Sequence, residues 1–213
     1  MNRGDKTVTV VMNNRMTAQI RSDAPHPSSV MTRRTTMAVI GAGLAAALAK
    51  PARARAVLPP VAVMLRPISP SQPAPTEVFT TGDGQKRTLA DYRGKGVVLN
   101  LWATWCLPCK LEMPSLDHLA ELVASDRISV LPVSIDTGGR KAVAAFYREN
   151  RIAHLPILLD PSSALPVALK APGVPTTVIL DRAGRIVGRV VGAAAWDAPE
   201  SVALLRRLVG AGA

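Results

Sequence analysis

The sequence predicts an α/β domain, a mixed sheet with helices on both faces, and three observations predict it. From residue 77 onward, short apolar runs of strand length recur along the chain. Between them lie segments whose apolar residues repeat at helical spacing. Gly- and Asp-containing turn signals punctuate the boundaries, so strand and helix alternate, the pattern of a parallel-containing sheet covered on two sides.

Each element follows in order. Residues 77–80 and 85–88 flank Gly82-Asp83-Gly84, which predicts a small N-terminal hairpin. Residues 96–103 (GVVLNLWA) are almost continuously apolar, as expected of a strand buried on both faces. Residues 107–125 read as a helix, with Leu111, Leu116, Leu119, Leu122 and Val123 as its apolar stripe and Pro114 as an expected kink. A second buried strand is expected at 128–135, then a helix at 141–150, a short strand at 157–159 and a helix at 163–170. Residues 176–180 and 185–191 form a strand pair across Asp181-Arg182-Ala183-Gly184, and a helix over 200–209 closes the chain. No internal repeat is present.

The chain has 213 residues, 48% of them hydrophobic but only 3% aromatic, so the core must be built from Leu, Val, Ile and Ala. The formal charge of +11 suggests a nucleic-acid partner until its distribution is examined. Residues 1–54 carry eight Lys/Arg against two Asp/Glu, and no block of like charges or basic–aromatic interleaving follows. The basicity is that of a solvated surface, and no nucleic-acid partner is expected.

The N-terminus reads as an address. Thr32-Arg33-Arg34-Thr35-Thr36-Met37 precedes an apolar run from Ala38 to Ala49, followed by Pro51-Ala52-Arg53-Ala54. Basic residues, a short apolar segment and small residues at a cleavage site form a secretory signal peptide, here residues 31–56. The run is well short of the roughly 20 residues that span a bilayer. The arginine pair resembles the twin-arginine signal, but Thr36 stands where that signal usually has Phe, so the export route stays open. Residues 1–30 lack apolar period and are expected to be a non-native or disordered extension, with translation starting at Met31. Residues 57–76 hold six prolines and are expected to be an extended linker, with the folded domain at 77–213. The expected location is the periplasm, with inner-membrane anchoring only through an uncleaved signal.

The chemistry concentrates at Trp105-Cys106-Leu107-Pro108-Cys109, which holds both cysteines of the chain between a buried strand and a helix. A cysteine at a helix N-terminus meets free N–H groups and the positive end of the macrodipole, both of which favour thiolate, the attacking species in disulfide exchange. Cys109, one turn later, can close onto Cys106, and Pro108 suits a first turn whose N–H would lack a partner. A structural disulfide is the weaker reading, because so short a loop constrains the unfolded chain little. A zinc site needs further ligands, and His118 and His154 are the only histidines outside the N-terminal segment, so no metal is expected. Inert core thiols are the third alternative. The strand-before, helix-after context favours a redox-active disulfide, with no other cofactor.

The run Leu101-Trp102-Ala103-Thr104-Trp105-Cys106-Leu107-Pro108-Cys109-Lys110-Leu111-Glu112-Met113-Pro114 resembles the active-site signature of the TlpA/ResA-like branch of the thioredoxin superfamily. The resemblance extends over about residues 76–210 and includes Leu89-Ala90-Asp91-Tyr92-Arg93-Gly94-Lys95 and Gly173-Val174-Pro175-Thr176. It implies a thioredoxin-like fold with a central insertion between Asp136 and Pro175. It implies Cys106 as nucleophile, Cys109 as resolving thiol and Pro175 as a cis-proline that sets the Val174 backbone beside the cysteines. Trp105, Pro108, Val174 and Pro175 would form the substrate-docking surface. Glu112 matches the branch's acidic residue, and two readings compete for it: a partly buried proton relay for Cys109, or a surface glutamate near a helix N-terminus. Trp102 is expected to pack, His118 to be solvated or in the core, and Trp196 has no motif to explain it.

The function so implied is an extracytoplasmic thiol:disulfide oxidoreductase. It would reduce disulfides in exported proteins such as apocytochrome c or copper-site assembly factors, with electrons from a membrane thiol protein; a monomer is expected. A periplasmic oxidase remains an alternative, since Leu-Pro between the cysteines does not set direction. A thioredoxin-fold copper chaperone is another, because two thiolates suit Cu(I), although that branch usually carries C-x-x-x-C and a later histidine. The lone-cysteine peroxidase pattern is absent.

Overall fold

The alternation along the sequence is realised over residues 57–210, which the computed structural model describes. The expectations for 1–30 and 31–56 lie outside the described residues. In chain order the elements are α1 (Val61–Met64), β1 (Arg66–Pro73), β2 (Phe79–Thr81), β3 (Lys86–Arg87) and a 3-10 turn (Leu89–Tyr92). They continue as β4 (Gly96–Trp102), α2 (Leu107–Leu122), β5 (Ile128–Ser134), α3 (Gly139–Asn150), β6 (Leu158–Leu159), α4 (Ala164–Ala168), β7 (Thr176–Leu180), β8 (Arg185–Val191) and α5 (Pro199–Gly210). The strands form one eight-stranded sheet in the order β1-β8-β7-β4-β5-β6-β2-β3. β4 pairs with β5, and β5 with β6, in parallel, while the other pairs are antiparallel. The mixed sheet and its helices are the expected architecture.

β4 is central, and all seven of its residues are buried, which explains why its sequence does not alternate. Its two faces feed two cores. Val98 and Trp102 pack with Met113, Leu116 and Leu119 of α2, Phe146 and Tyr147 of α3, and Val202 and Leu205 of α5. Val97, Leu99 and Leu101 pack on the opposite face with Leu89, Leu165 and Leu169. Gly96 is where α5 crosses closest: a Cβ there would lie 2.5 Å from Val209 Cβ.

Two expectations are corrected. Residues 57–76 are not a spacer ahead of the fold. Val61 is fully buried and its N–H donates to Ser201 Oγ at 2.9 Å. β1 adds to the sheet edge, with Arg66 opposite Arg189, Pro67 opposite Gly188 and Gln72 opposite Ile186. Prolines lack an N–H, and an edge strand is the place in a sheet where that loss is tolerated; the pairing is interrupted between Pro67 and Gln72. The helix stripe is also rotated from expectation. Leu111 and Leu122 are exposed, whereas Glu112, Met113 and Asp117 are buried. Asp117 is offset by its partners: its Oδ1 accepts the N–H groups of Ala153, His154 and Leu155, fixing the turn before β6.

Candidate redox site

β4 ends at Trp102 and the chain turns through residues 103–105 into α2. Asp136, at the end of β5, fixes that turn. Its carboxylate accepts the Thr104 N–H at 2.8 Å, the Thr104 hydroxyl at 2.7 Å and the Ser134 hydroxyl at 2.7 Å. Cys106 is therefore held at the N-cap of α2, and the Cys109 N–H donates to its sulfur at 3.2 Å. Free amides at a helix start stabilise negative charge on such a sulfur. Pro108 occupies the first turn, as expected.

Cys106 and Cys109 form a disulfide with Cα atoms 5.3 Å apart. Cys106 is 6% exposed and Cys109 fully buried, so the first residue is the more accessible of the two. The Val174–Pro175 peptide is cis, and the Val174 carbonyl oxygen lies 3.6 Å from Cys106 Sγ. The Pro175 carbonyl accepts the N–H of Gly192, tying this loop to the end of β8. Trp105, Leu107 and Leu111 stand exposed beside the disulfide and form an apolar rim. The structure thus brings Trp105, Pro108, Val174 and Pro175 around the cysteine pair.

Glu112 is fully buried, which overturns the surface reading. Its Oε1 accepts Asn100 Nδ2–H at 2.9 Å, and its Oε2 accepts the Ala194 N–H at 3.0 Å and Trp196 Nε1–H at 2.9 Å. Asn100 donates also to Thr177 Oγ1 at 2.9 Å, directly across the β4–β7 pair. Burial pushes the Glu112 carboxyl up to about 7, and the three donated hydrogen bonds hold it back from rising further. A carboxyl that exchanges a proton near neutrality, one helical turn behind Cys109, is suited to proton transfer.

Several of these residues were not singled out by the sequence. Asn100 had a signal, a polar residue inside an otherwise apolar strand. Asp136 offered only a polar residue after a strand. Trp196 offered none, because its partner lies 84 residues away. Trp102 packs against Phe146 and Tyr147, with ring centroids 5.3 and 6.0 Å away. His118 is solvated and paired with Asp197 at 3.0 Å. Among the described residues, no three His, Cys, Asp or Glu side chains gather as a metal site, and no helix is long and apolar enough to cross a membrane.

A model of the AhpC/TSA family matches residues 70–189. The thiol-disulfide oxidoreductase ResA of Geobacillus kaustophilus is 34% identical over 119 residues, covering 56% of this chain and 67% of the relative. The crystal structure of the exposed lipoprotein thioredoxin Etrx1 of Streptococcus pneumoniae is similar at 29% identity and a TM-score of 0.51, covering 62% of this chain and 96% of that one. StoA of Bacillus subtilis, at 24% identity and a TM-score of 0.50, covers 64% and 98% and speaks to the fold.

Proposed function

The chain belongs to the AhpC/TSA family, in its thioredoxin-like thiol-disulfide oxidoreductase branch, and on that premise we propose that it reduces disulfides of exported proteins outside the cytoplasm. The observation that carries the proposal is the asymmetry of the pair. Cys106 sits at the helix N-cap, slightly exposed and 3.6 Å from the Val174 carbonyl, while Cys109 lies fully buried one turn later on the helix that carries Glu112.

In the reduced enzyme the Cys106 thiolate attacks one sulfur of a substrate disulfide. The Cys106–substrate bond forms, the substrate S–S bond breaks, and the departing substrate thiolate takes up a proton. Cys109 then passes its thiol proton to the Glu112 carboxylate and attacks Cys106 Sγ. The Cys106–Cys109 bond forms, the mixed disulfide breaks, and the second substrate sulfur leaves as thiolate and is protonated. Two cysteines of the enzyme are oxidised and one substrate disulfide is reduced. Trp105, Pro108, Val174 and Pro175 receive the substrate segment. A membrane thiol protein would return the electrons, and no cofactor beyond the cysteine pair is required.

Export is supported by the Arg33-Arg34 and Ala38–Ala49 segment and by the relative whose name describes it as an exposed lipoprotein. The deciding experiment for direction is the reduction potential of the Cys106–Cys109 couple in the purified chain. A value near or below roughly −270 mV supports the reductase, and one near about −120 mV makes it an oxidase.

A further inference from the structure

The three groups that donate to the Glu112 carboxyl are not equivalent. Oε2 faces a backbone N–H (Ala194) and an indole N–H (Trp196), and both can only donate. A proton on Oε2 would point at two hydrogens. Oε1 faces the Asn100 side-chain amide alone. That amide has a donor end and an acceptor end. At present its Nδ2 uses both hydrogens, one on Glu112 Oε1 and one on Thr177 Oγ1, while Oδ1 is buried with no hydrogen-bond partner.

We propose that Asn100 is a positioning residue that fixes the Glu112 proton on Oε1, its amide turning end over end as Glu112 gains and loses the proton. This inference rests on the reading of Glu112 as the proton acceptor for Cys109. In the ionised state Nδ2 serves the carboxylate and Thr177, as observed. In the protonated state the turned amide places Oδ1 in the same position, where its two lone pairs accept Glu112 Oε1–H and Thr177 Oγ1–H, while Nδ2 takes the buried place that Oδ1 leaves, so each state leaves one end of the amide without a partner. No backbone has to move, which suits residues on adjacent central strands, where Asn100 and Thr177 are register partners and both fully or almost fully buried. A residue with a single hydrogen-bonding character at position 100 would satisfy one protonation state and oppose the other. Trp196 takes the complementary part by keeping Oε2 unprotonated. The groups bonded to Glu112 from β4 and from the segment after β8 are neutral, and on α2 itself the titratable neighbour one turn away is Cys109. The His118–Asp197 pair lies at the surface.

The experiment is a pH titration of the full chain with labelled Glu carboxyl carbons and Asn side-chain amides, read by NMR. Glu112 is assigned by its absence in Glu112→Gln and the Asn100 amide by through-bond correlation to its own Cβ and backbone in the wild-type chain. The Asn100 amide hydrogens should lose their hydrogen-bonded shifts at the same midpoint at which the Glu112 carboxyl protonates. Asn100→Leu should raise that midpoint by about one unit, which lowers the carboxylate fraction and the disulfide-exchange rate at neutral pH by up to about tenfold. If the carboxyl titrates while the Asn100 amide stays still, the turning amide is wrong and the proton-acceptor role of Glu112 stands. If the carboxyl does not titrate between pH 5 and 9, both fall. The wild-type titration decides the matter even if Asn100→Leu fails to fold.

Discussion

Trp196 and Glu112 are joined by a hydrogen bond of 2.9 Å between two fully buried side chains 84 residues apart. That bond, with those from Ala194 and Asn100, lets a carboxyl remain in the core without a cation beside it. A charge so placed is satisfied but still poorly solvated, and the balance shows as a carboxyl held near 7.

The first prediction follows from that balance. Between the ordinary value of 4.5 and about 7, the folded chain holds a proton on Glu112 that the unfolded chain has released. Its contribution to stability is therefore complete below pH 4.5 and is lost as pH rises through 7. Glu112→Gln, which keeps the shape and cannot ionise, should gain stability relative to wild type over that window, by up to roughly 3 kcal/mol. Urea unfolding of both oxidised proteins at pH 4.5 and 8.5 measures it. An equal difference at the two pH values would show that Glu112 does not titrate in the fold. The same variant should slow disulfide exchange and remove an inflection near pH 7 from its rate profile.

The second prediction concerns the order of the thiols. Cys106 is the more exposed cysteine and sits at a helix N-terminus, so in reduced protein it should be alkylated well before Cys109 and at lower pH. Cys109→Ala should accumulate mixed disulfides with substrates, and Cys106→Ala should accumulate few. Mass mapping of iodoacetamide-labelled peptides tests the order, and first labelling at Cys109 would reverse the assigned roles.

Much of this could be read from sequence because local pattern and tertiary environment agree. β4, β7 and β8 match their expected ranges to within a residue, since buried strands leave continuous or alternating apolar runs. The cysteine pair was legible because strand, turn and helix are contiguous around it. Residues 60–73 were not, because proline density signals only what a segment cannot do locally; pairing with β8 and the burial of Val61 against Ser201 are set by residues more than 110 positions away. The environment of Glu112 was hidden for the same reason. An apolar stripe predicts Leu111 inside, yet the sheet supplies Asn100 and the segment after β8 supplies Ala194 and Trp196, so the buried face centres on Glu112.

The third prediction concerns docking. Trp105 is 67% exposed beside Cys106, so it contributes little to folding and offers a broad apolar surface to a substrate. Trp105→Ala should change stability by less than about 0.5 kcal/mol. It should raise KM for a protein disulfide several-fold and leave reaction with a small disulfide nearly unaltered. Equal loss toward both substrates would move Trp105 from docking to the chemistry of the cysteines.

The last prediction concerns Asp136, which touches neither sulfur. Its buried carboxylate accepts the Thr104 backbone N–H and the hydroxyls of Thr104 and Ser134, and so determines where the chain leaves β4 and where α2 begins. Cys106 lies two residues beyond Thr104. Asp136→Ala would leave those donors buried without an acceptor, at a cost of about 1–3 kcal/mol each for the ones that find no water. Asp136→Asn keeps the volume, and its one oxygen in the place of Oδ2 still accepts the Thr104 N–H and the Ser134 hydroxyl, but the atom facing the Thr104 hydroxyl becomes a donor, so that bond must reverse. The expected result is a graded loss, Ala greater than Asn, in both unfolding free energy and the rate of attack by Cys106. If the carboxylate acts only on folding, the rate per folded molecule will be unchanged while stability falls. If it positions the nucleophile, the rate will fall in Asp136→Asn even under conditions where the protein is fully folded. Single-turnover reaction of the reduced protein with a small disulfide, at temperatures well below unfolding, separates the two.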